Sequence, residues 1–168
     1  NQPTTGSAPS RERTEWRDVT ALALRLNDDD PLRDDVLPHV VERFGGSLAR
    51  EAVPAGAQGK RLLLALFGDV EPDGRDADNA ARCALAMRSA IPDVPLVVVT
   101  GPGRFSAWSV AGEVIDSGSR LLRATAPGSI RLDDTAGGLL DGRFEIHRDG
   151  TDLYLRAERD VYETKRNF

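Results

Sequence analysis

Gly59-Lys60-Arg61-Leu62-Leu63-Leu64-Ala65-Leu66-Phe67-Gly68 is the most apolar run in the chain, bounded by glycines and entered through two bases. Residues 62–67 are too few for a helix and read as a buried central strand. Upstream, 47–53 reads as a short strand, and Pro54-Ala55-Gly56-Ala57-Gln58-Gly59 as the turn that makes the two a hairpin with a long connection. A helix is expected over 32–44, with Val36, Leu37, Val40, Val41 and Phe44 on one stripe and Gly45-Gly46 ending it. Asp30 is its expected cap, with Pro31 at the first position and Asp28 and Asp29 at the positive helix end. Pro38 is tolerable only near the first turns. Before it, 17–26 alternates through Val19, Leu22, Leu24 and Leu26 as a strand.

Downstream, an acidic loop covers 69–76, and Asp76 or Asp78 is expected to cap a second helix. Ala77, Ala80, Ala81, Ala84, Met87 and Ile91 recur at helical spacing, and Pro92 stops it. Leu96-Val97-Val98-Val99 marks a strand over 95–100. Gly101-Pro102-Gly103 reads as a turn, with 104–110 returning as the hairpin partner. A third helix over 112–124 carries Val114, Ile115, Leu121 and Leu122. Pro127-Gly128 breaks it before a short strand at 129–132 and a small helix at 135–140. Strands at 144–147 and 153–155 close a terminal hairpin across Asp149-Gly150. The pattern is an α+β sandwich of the ferredoxin-like kind: one mostly antiparallel sheet with helices on one face. A domain over 14–158 is expected between a polar linker, 1–13, and a charged tail or linker, 159–168.

The 168 residues suit one domain, and 40% apolar content supports a core. A formal net charge of -5 argues against nucleic acid as the main partner. No apolar run approaches the length of a membrane span. One cysteine, Cys83, excludes an internal disulfide and a cysteine-based metal site, in keeping with a cytoplasmic setting. His39 and His147 lie far apart and read as ordinary residues rather than ligands. The chain opens Asn1-Gln2 without Met, and a piece of a longer protein is expected.

Several stretches, taken in order, resemble class III adenylate/guanylate cyclase catalytic domains. Arg17-Asp18-Val19-Thr20-Ala21-Leu22 is similar to their first strand, and Phe44-Gly45-Gly46 to their helix-ending "hGG". The run ending Phe67-Gly68 resembles the strand after "GDG" that ends "AVFG". Ala84-Leu85-Ala86-Met87-Arg88 resembles their Ala-rich helix, Gly112 to Leu121 their "GDxVNxAxRL", and Ala126-Pro127-Gly128-Ser129-Ile130 their "PGxI". The resemblance spans about residues 17–158.

The family's chemistry, attack of a ribose 3'-hydroxyl on an α-phosphate, needs two carboxylates that hold two divalent ions. By the resemblance those positions fall on Arg25 and Arg61, and a guanidinium only donates. Lys60 and Leu62 replace the "GDG" glycines. The span from Arg25 to Gly45 is too short for the family's phosphate-cradling turn and long helix, so a shortened first helix region is expected. The transition-state Arg of the family matches Arg120, and its Asn matches Asp116. These two are spaced for an ion pair on a helix. The family's base-recognising acid and Lys fall near Ser109 and Ala57.

The expectation is a pseudoenzyme with no metal and no cofactor: a regulatory and dimerisation module in a bacterial signalling protein. Its partner would be a second copy or a related cyclase-type domain, with kinase, ATPase or repeat modules as chain neighbours. Two alternatives stand beside it. One is a half-site partner that contributes Arg120 to a heterodimeric cyclase. The other is a metal-independent nucleotide sensor in which Arg25, Lys60 and Arg61 form a basic lip for an anion.

Overall fold

The computed structural model describes residues 16–27, 35–49, 53–54, 60–68, 74–105 and 110–159. The Asp30 cap, the turn at 55–59, the 1–13 linker and most of the C-terminal tail lie outside the described residues. The elements are β1 (Trp16–Asn27), α1 (Leu37–Arg43), β2 (Ser47–Leu48), β3 (Val53–Pro54), β4 (Lys60–Phe67), α2 (Asp76–Ala90), β5 (Leu96–Phe105), β6 (Val110–Ala111), α3 (Glu113–Arg123), β7 (Ile130–Leu132), α4 (Asp134–Leu140), β8 (Phe144–Asp149) and β9 (Asp152–Glu158).

They form one sheet in the order β2-β4-β1-β5-β7-β9-β8, with β3 also paired to β4 and β6 to β5. Among the described strands, only the β5–β7 pairing is parallel. The Leu-rich strand β4 is buried from Leu62 to Phe67 but lies one place in from the edge, and β1 and β5 occupy the middle.

Both faces of the sheet are covered. On one, Leu22, Leu24, Leu63, Phe67, Leu96, Val98 and Ile130 pack under α1, α2 and α4. On the other, Val19, Ala21, Ala23, Leu62, Leu64, Leu66, Val97 and Val99 pack under Val114 and Leu122 of α3. The expectation of helices on one face is therefore corrected. The unbroken apolar runs of β4 and β5 put large side chains on both sides of the pleat, and each side requires a cover. The small residues of α2, among them Ala80, Ala81 and Ala84, are fully buried and let that helix lie close to the strands.

Gly101-Pro102-Gly103 is not a turn. β5 runs through it to Phe105, and β1 pairs with it all the way, Asp18 opposite Pro102 and Trp16 opposite Arg104. Proline is tolerated there because β7 pairs only with residues 96–98 of β5 and β6 only with 104–105. Among the described residues the return strand is Val110–Ala111, paired with Arg104 and Phe105.

α1 carries Pro38 in its first turn, where no N–H is missed. It ends on paired bonds, Gly46 N–H to Val41 O (3.0 Å) and Gly45 N–H to Glu42 O (3.0 Å), with Gly45 at φ 85°. Gly46 has a second duty. A Cβ there would stand 2.6 Å from the buried Phe67 ring.

Asp76 and Asp78 do not cap α2, since Arg75 holds the cap position and both acids lie inside the first turn. Asp78 is buried and takes both arms of Arg143, at 2.7 and 2.8 Å, which ties α2 to the segment before β8. Among the described residues, no helix is long and apolar enough to cross a membrane.

Candidate functional site

β1 and β4 run antiparallel with Arg25 opposite Leu62, Leu26 opposite Arg61 and Asn27 opposite Lys60. Directly opposed residues share a face, and successive residues alternate. Leu62 belongs to the α3 side and Leu26 to the α2 side. Arg25 therefore holds a register position on the α3 face, and Lys60 and Arg61 lie at the same end of the strand pair, opposite Asn27 and Leu26. Arg25 is half-buried and has no hydrogen bond or ion pair with another described residue.

Asp116 and Arg120 are both exposed on α3. The ion pair expected between them is absent, and neither has a partner among the described residues. An exposed pair at this spacing is worth only about 0.3–0.5 kcal/mol, too little to hold two mobile side chains together. Glu113 and Asp116 stand in the first turn of α3 and Arg120 and Arg123 in the last, which complements the helix dipole.

The register also sorts charge along the strands. Leu24 pairs with Leu96, and Leu96 with Ile130, so the end of β1 and the starts of β4, β5 and β7 meet at one end of the sheet. α2 also ends there, in the segment that leads into β5, and α3 ends in the segment that leads into β7. That end carries Arg25, Lys60, Arg61, Arg88, Arg120 and Arg123.

The opposite end holds a cleft of about 200 Å³ lined by Asp18, Glu113, Asp133, Thr100 and Ser117. Asp133 caps α4 there, accepting from Ala136 N–H at 2.9 Å and from Thr100 N–H at 3.3 Å. Burial pushes its carboxyl above the ordinary range, against the opposing pull of those backbone donors. Thr100 in turn shares a 2.8 Å hydroxyl bond with Thr20 directly across the strand pair. Asp133 was not singled out from the sequence. Its signal was local: an Asp two residues before Thr135, at the start of a helical stretch.

The residues at the two implied metal positions do not fit divalent ions. A cation site needs oxygen acceptors, and Arg25 and Arg61 offer only donors. Among the described residues, no three His, Cys, Asp or Glu side chains converge to hold a metal ion, the acids of the Asp133 cleft included. Asp28, Asp29, Asp30, Ala57 and Ser109 lie outside the described residues.

No protein-family model and no curated protein matches the sequence. Solved structures do match in shape. The dimeric guanylyl cyclase domain of the RhoGC fusion protein from the aquatic fungus Blastocladiella emersonii superposes with a TM-score of 0.67 at 11% identity, covering 88% of this chain and 100% of its own. The guanylate cyclase domain of RhGC from Catenaria anguillulae, in complex with GTP, gives 0.65 at 14%, covering 86% and 100%. The adenylyl cyclase CyaB from P. aeruginosa gives 0.65 at 15%, covering 89% and 97%. Identities this low establish architecture alone. With its mixed α+β layers and mostly antiparallel sheet, this chain carries the fold of the adenylyl and guanylyl cyclase catalytic domains.

Proposed function

We propose that this domain does not catalyse cyclisation and serves as a regulatory and dimerisation module of a larger bacterial signalling protein. One correspondence carries the reading: by the resemblance, Arg25 and Arg61 fall at the positions where the cyclase chemistry requires carboxylates. Two fixed positive charges repel a divalent ion, and metal is what stabilises the charge that develops on the phosphates. The span from Arg25 to Gly45 supports it, because by the resemblance it is too short for the family's phosphate-cradling turn and long helix. Pairing with a second copy, or with a related cyclase-type domain, is the function that remains to such a fold. A solved neighbour described as dimeric supports that choice.

The test is calorimetric titration of the purified domain with ATP and GTP, each with and without magnesium or manganese, alongside a product assay. No metal-dependent binding and no cyclic product are expected. Metal-dependent binding with turnover would overturn the reading. Binding without metal would move the function to nucleotide sensing on Arg25, Lys60 and Arg61. Arg25→Asp combined with Arg61→Asp is expected to stay inactive, because the span from Arg25 to Gly45 is too short for the family's phosphate-cradling turn. Measurable turnover in that double variant refutes this.

A second reading is favoured by Arg120, which is exposed and carries no partner among the described residues. In that reading the domain lends Arg120 to the site of another chain. Mixing with a cyclase domain that keeps its metal carboxylates but lacks its own arginine would then restore activity, and Arg120→Ala would abolish the rescue.

A further inference from the structure

A polar groove of about 620 Å³ opens between the segment after α3 and the outer strands β9 and β8, with Arg88, Ser129, His147, Asp149, Tyr154 and Arg156 in its wall. Arg88 reaches it from the last turn of α2. Its guanidinium donates to Arg156 O at 2.7 Å and to Leu155 O at 3.3 Å. Those carbonyls lie where β9 has run past its pairing with β7, which covers only Tyr154 and Leu153. Arg88 is thereby held in one orientation with three of its five donors unspent.

Arg156 and His147 make no hydrogen bond or ion pair through their side chains among the described residues. Three other arginines near these strands are held by acids, Arg82 by Glu158, Arg131 by Asp152 and Arg143 by Asp78. In a chain of net charge -5, the groove thus gathers two guanidiniums against one carboxylate, Asp149. The helix dipole accounts for a cation at the end of α2. It does not account for Arg156, which sits on a strand, nor for the docking of Arg88 on β9.

We propose that this groove binds a small phosphate-bearing ligand without metal. Arg88 and Arg156 are the phosphate donors, and the ring of Tyr154 is a wall for the rest of the molecule. Planar guanidiniums match phosphate oxygens in pairs, and a concave site with an excess of positive charge concentrates anions. The site is separate from the Arg25 and Arg61 positions and does not depend on whether the domain pairs or is inactive.

The test is calorimetry in EDTA with inorganic pyrophosphate, AMP and citrate as probes, followed by amide chemical shifts. Pyrophosphate or AMP is expected to bind one to one, with shifts at Gly128, Ser129 and Arg156. Arg156→Ala, a change at an exposed side chain, is expected to weaken binding by about tenfold, the loss of a charge-assisted bond. Arg25→Ala is expected to leave it unchanged, which separates this site from nucleotide sensing at the β1 position. AMP tighter than pyrophosphate supports the proposal with the ring against Tyr154, and the reverse supports it with the phosphate alone. No binding of either phosphate probe at millimolar concentration, binding indifferent to Arg156→Ala, or citrate binding as tightly as pyrophosphate would each overturn it. Arg88→Ala is the stronger change, and Arg156→Ala keeps the test decisive if that variant fails to fold.

Discussion

Gly118 lies in the middle of α3, on the side that meets the sheet, and replacing it tests how that helix sits. A Cβ built there would stand 3.6 Å from Val99 Cγ2 and 3.7 Å from the Cβ of Ala23, which is ordinary van der Waals contact. Ala in place of Gly within a helix is worth about 0.8–1.0 kcal/mol. No clash subtracts from it, so Gly118→Ala is expected to stabilise the domain by about 1 kcal/mol. For a chain of this size that raises Tm by about 2–4 °C. Gly46→Ala supplies the opposite sign. Its Cβ would fall 2.6 Å from Phe67 Cε2 and 2.7 Å from Cζ, and that ring is 1% exposed and cannot swing away. A loss of about 1–3 kcal/mol is expected, the usual cost of overpacking. The assay is urea unfolding followed by far-UV circular dichroism, with m-values compared to confirm a common transition. A Gly118→Ala variant that is destabilised would mean that α3 lies nearer to Val99 than described. The placement of Arg120 on that helix would then fall with it.

Three further outcomes are expected. Asp133 has a folded-state pKa raised above its ordinary value of 3.8, so the folded form holds the proton more tightly and stability is lost as pH rises through that raised value. Asp133→Asn keeps an acceptor for Ala136 N–H and should flatten that part of the stability–pH curve, as chemical denaturation at a series of pH values would show; an unchanged slope refutes it. Arg143→Ala leaves the buried Asp78 without its two-armed partner and should cost about 1–2 kcal/mol, with Arg143→Ala/Asp78→Ala recovering part of the loss in a double-mutant cycle. Burial pushes the Cys83 thiol up to about 12, so it should resist iodoacetamide in the folded protein and react at once in urea.

Much of the fold was legible because the strongest signals were local. Glycines bound β4, alanines at helical spacing mark α2, and Asp149-Gly150 turns the last hairpin with Gly150 at φ 65°. The misreadings came where a distant strand overrode a local signal. Gly101-Pro102-Gly103 has the composition of a turn, yet Arg17, Asp18 and Val19 pair with it and hold it extended. Asp78 looked like a helix cap because its real partner, Arg143, is 65 residues away and leaves no mark on the surrounding sequence. The site was less legible for a related reason. Arg25 and Arg61 look alike in sequence, and the strand pairing that sets Arg25 opposite Leu62 and Arg61 opposite Leu26 leaves no local mark on it.

The placement of the core bears on why the fold persists at 11–15% identity to solved cyclase domains. The side chains that hold the sheet together, from Leu22 and Leu24 to Val97 and Val98, are buried in the middle of the strands. Arg25 and Arg61, which the resemblance sets at the cyclase metal positions, lie at strand ends, where the pairing of β1 with β4 runs out at Asn27 and Lys60. A change of charge at a strand end disturbs few packed contacts, and exposed charge contributes little to stability. The core therefore places no demand on the charge at Arg25 or Arg61, and the architecture can be kept whichever sign stands there. Shape alone is silent on activity for the same reason, and the chemistry of the residues at those ends is what supports the non-catalytic reading.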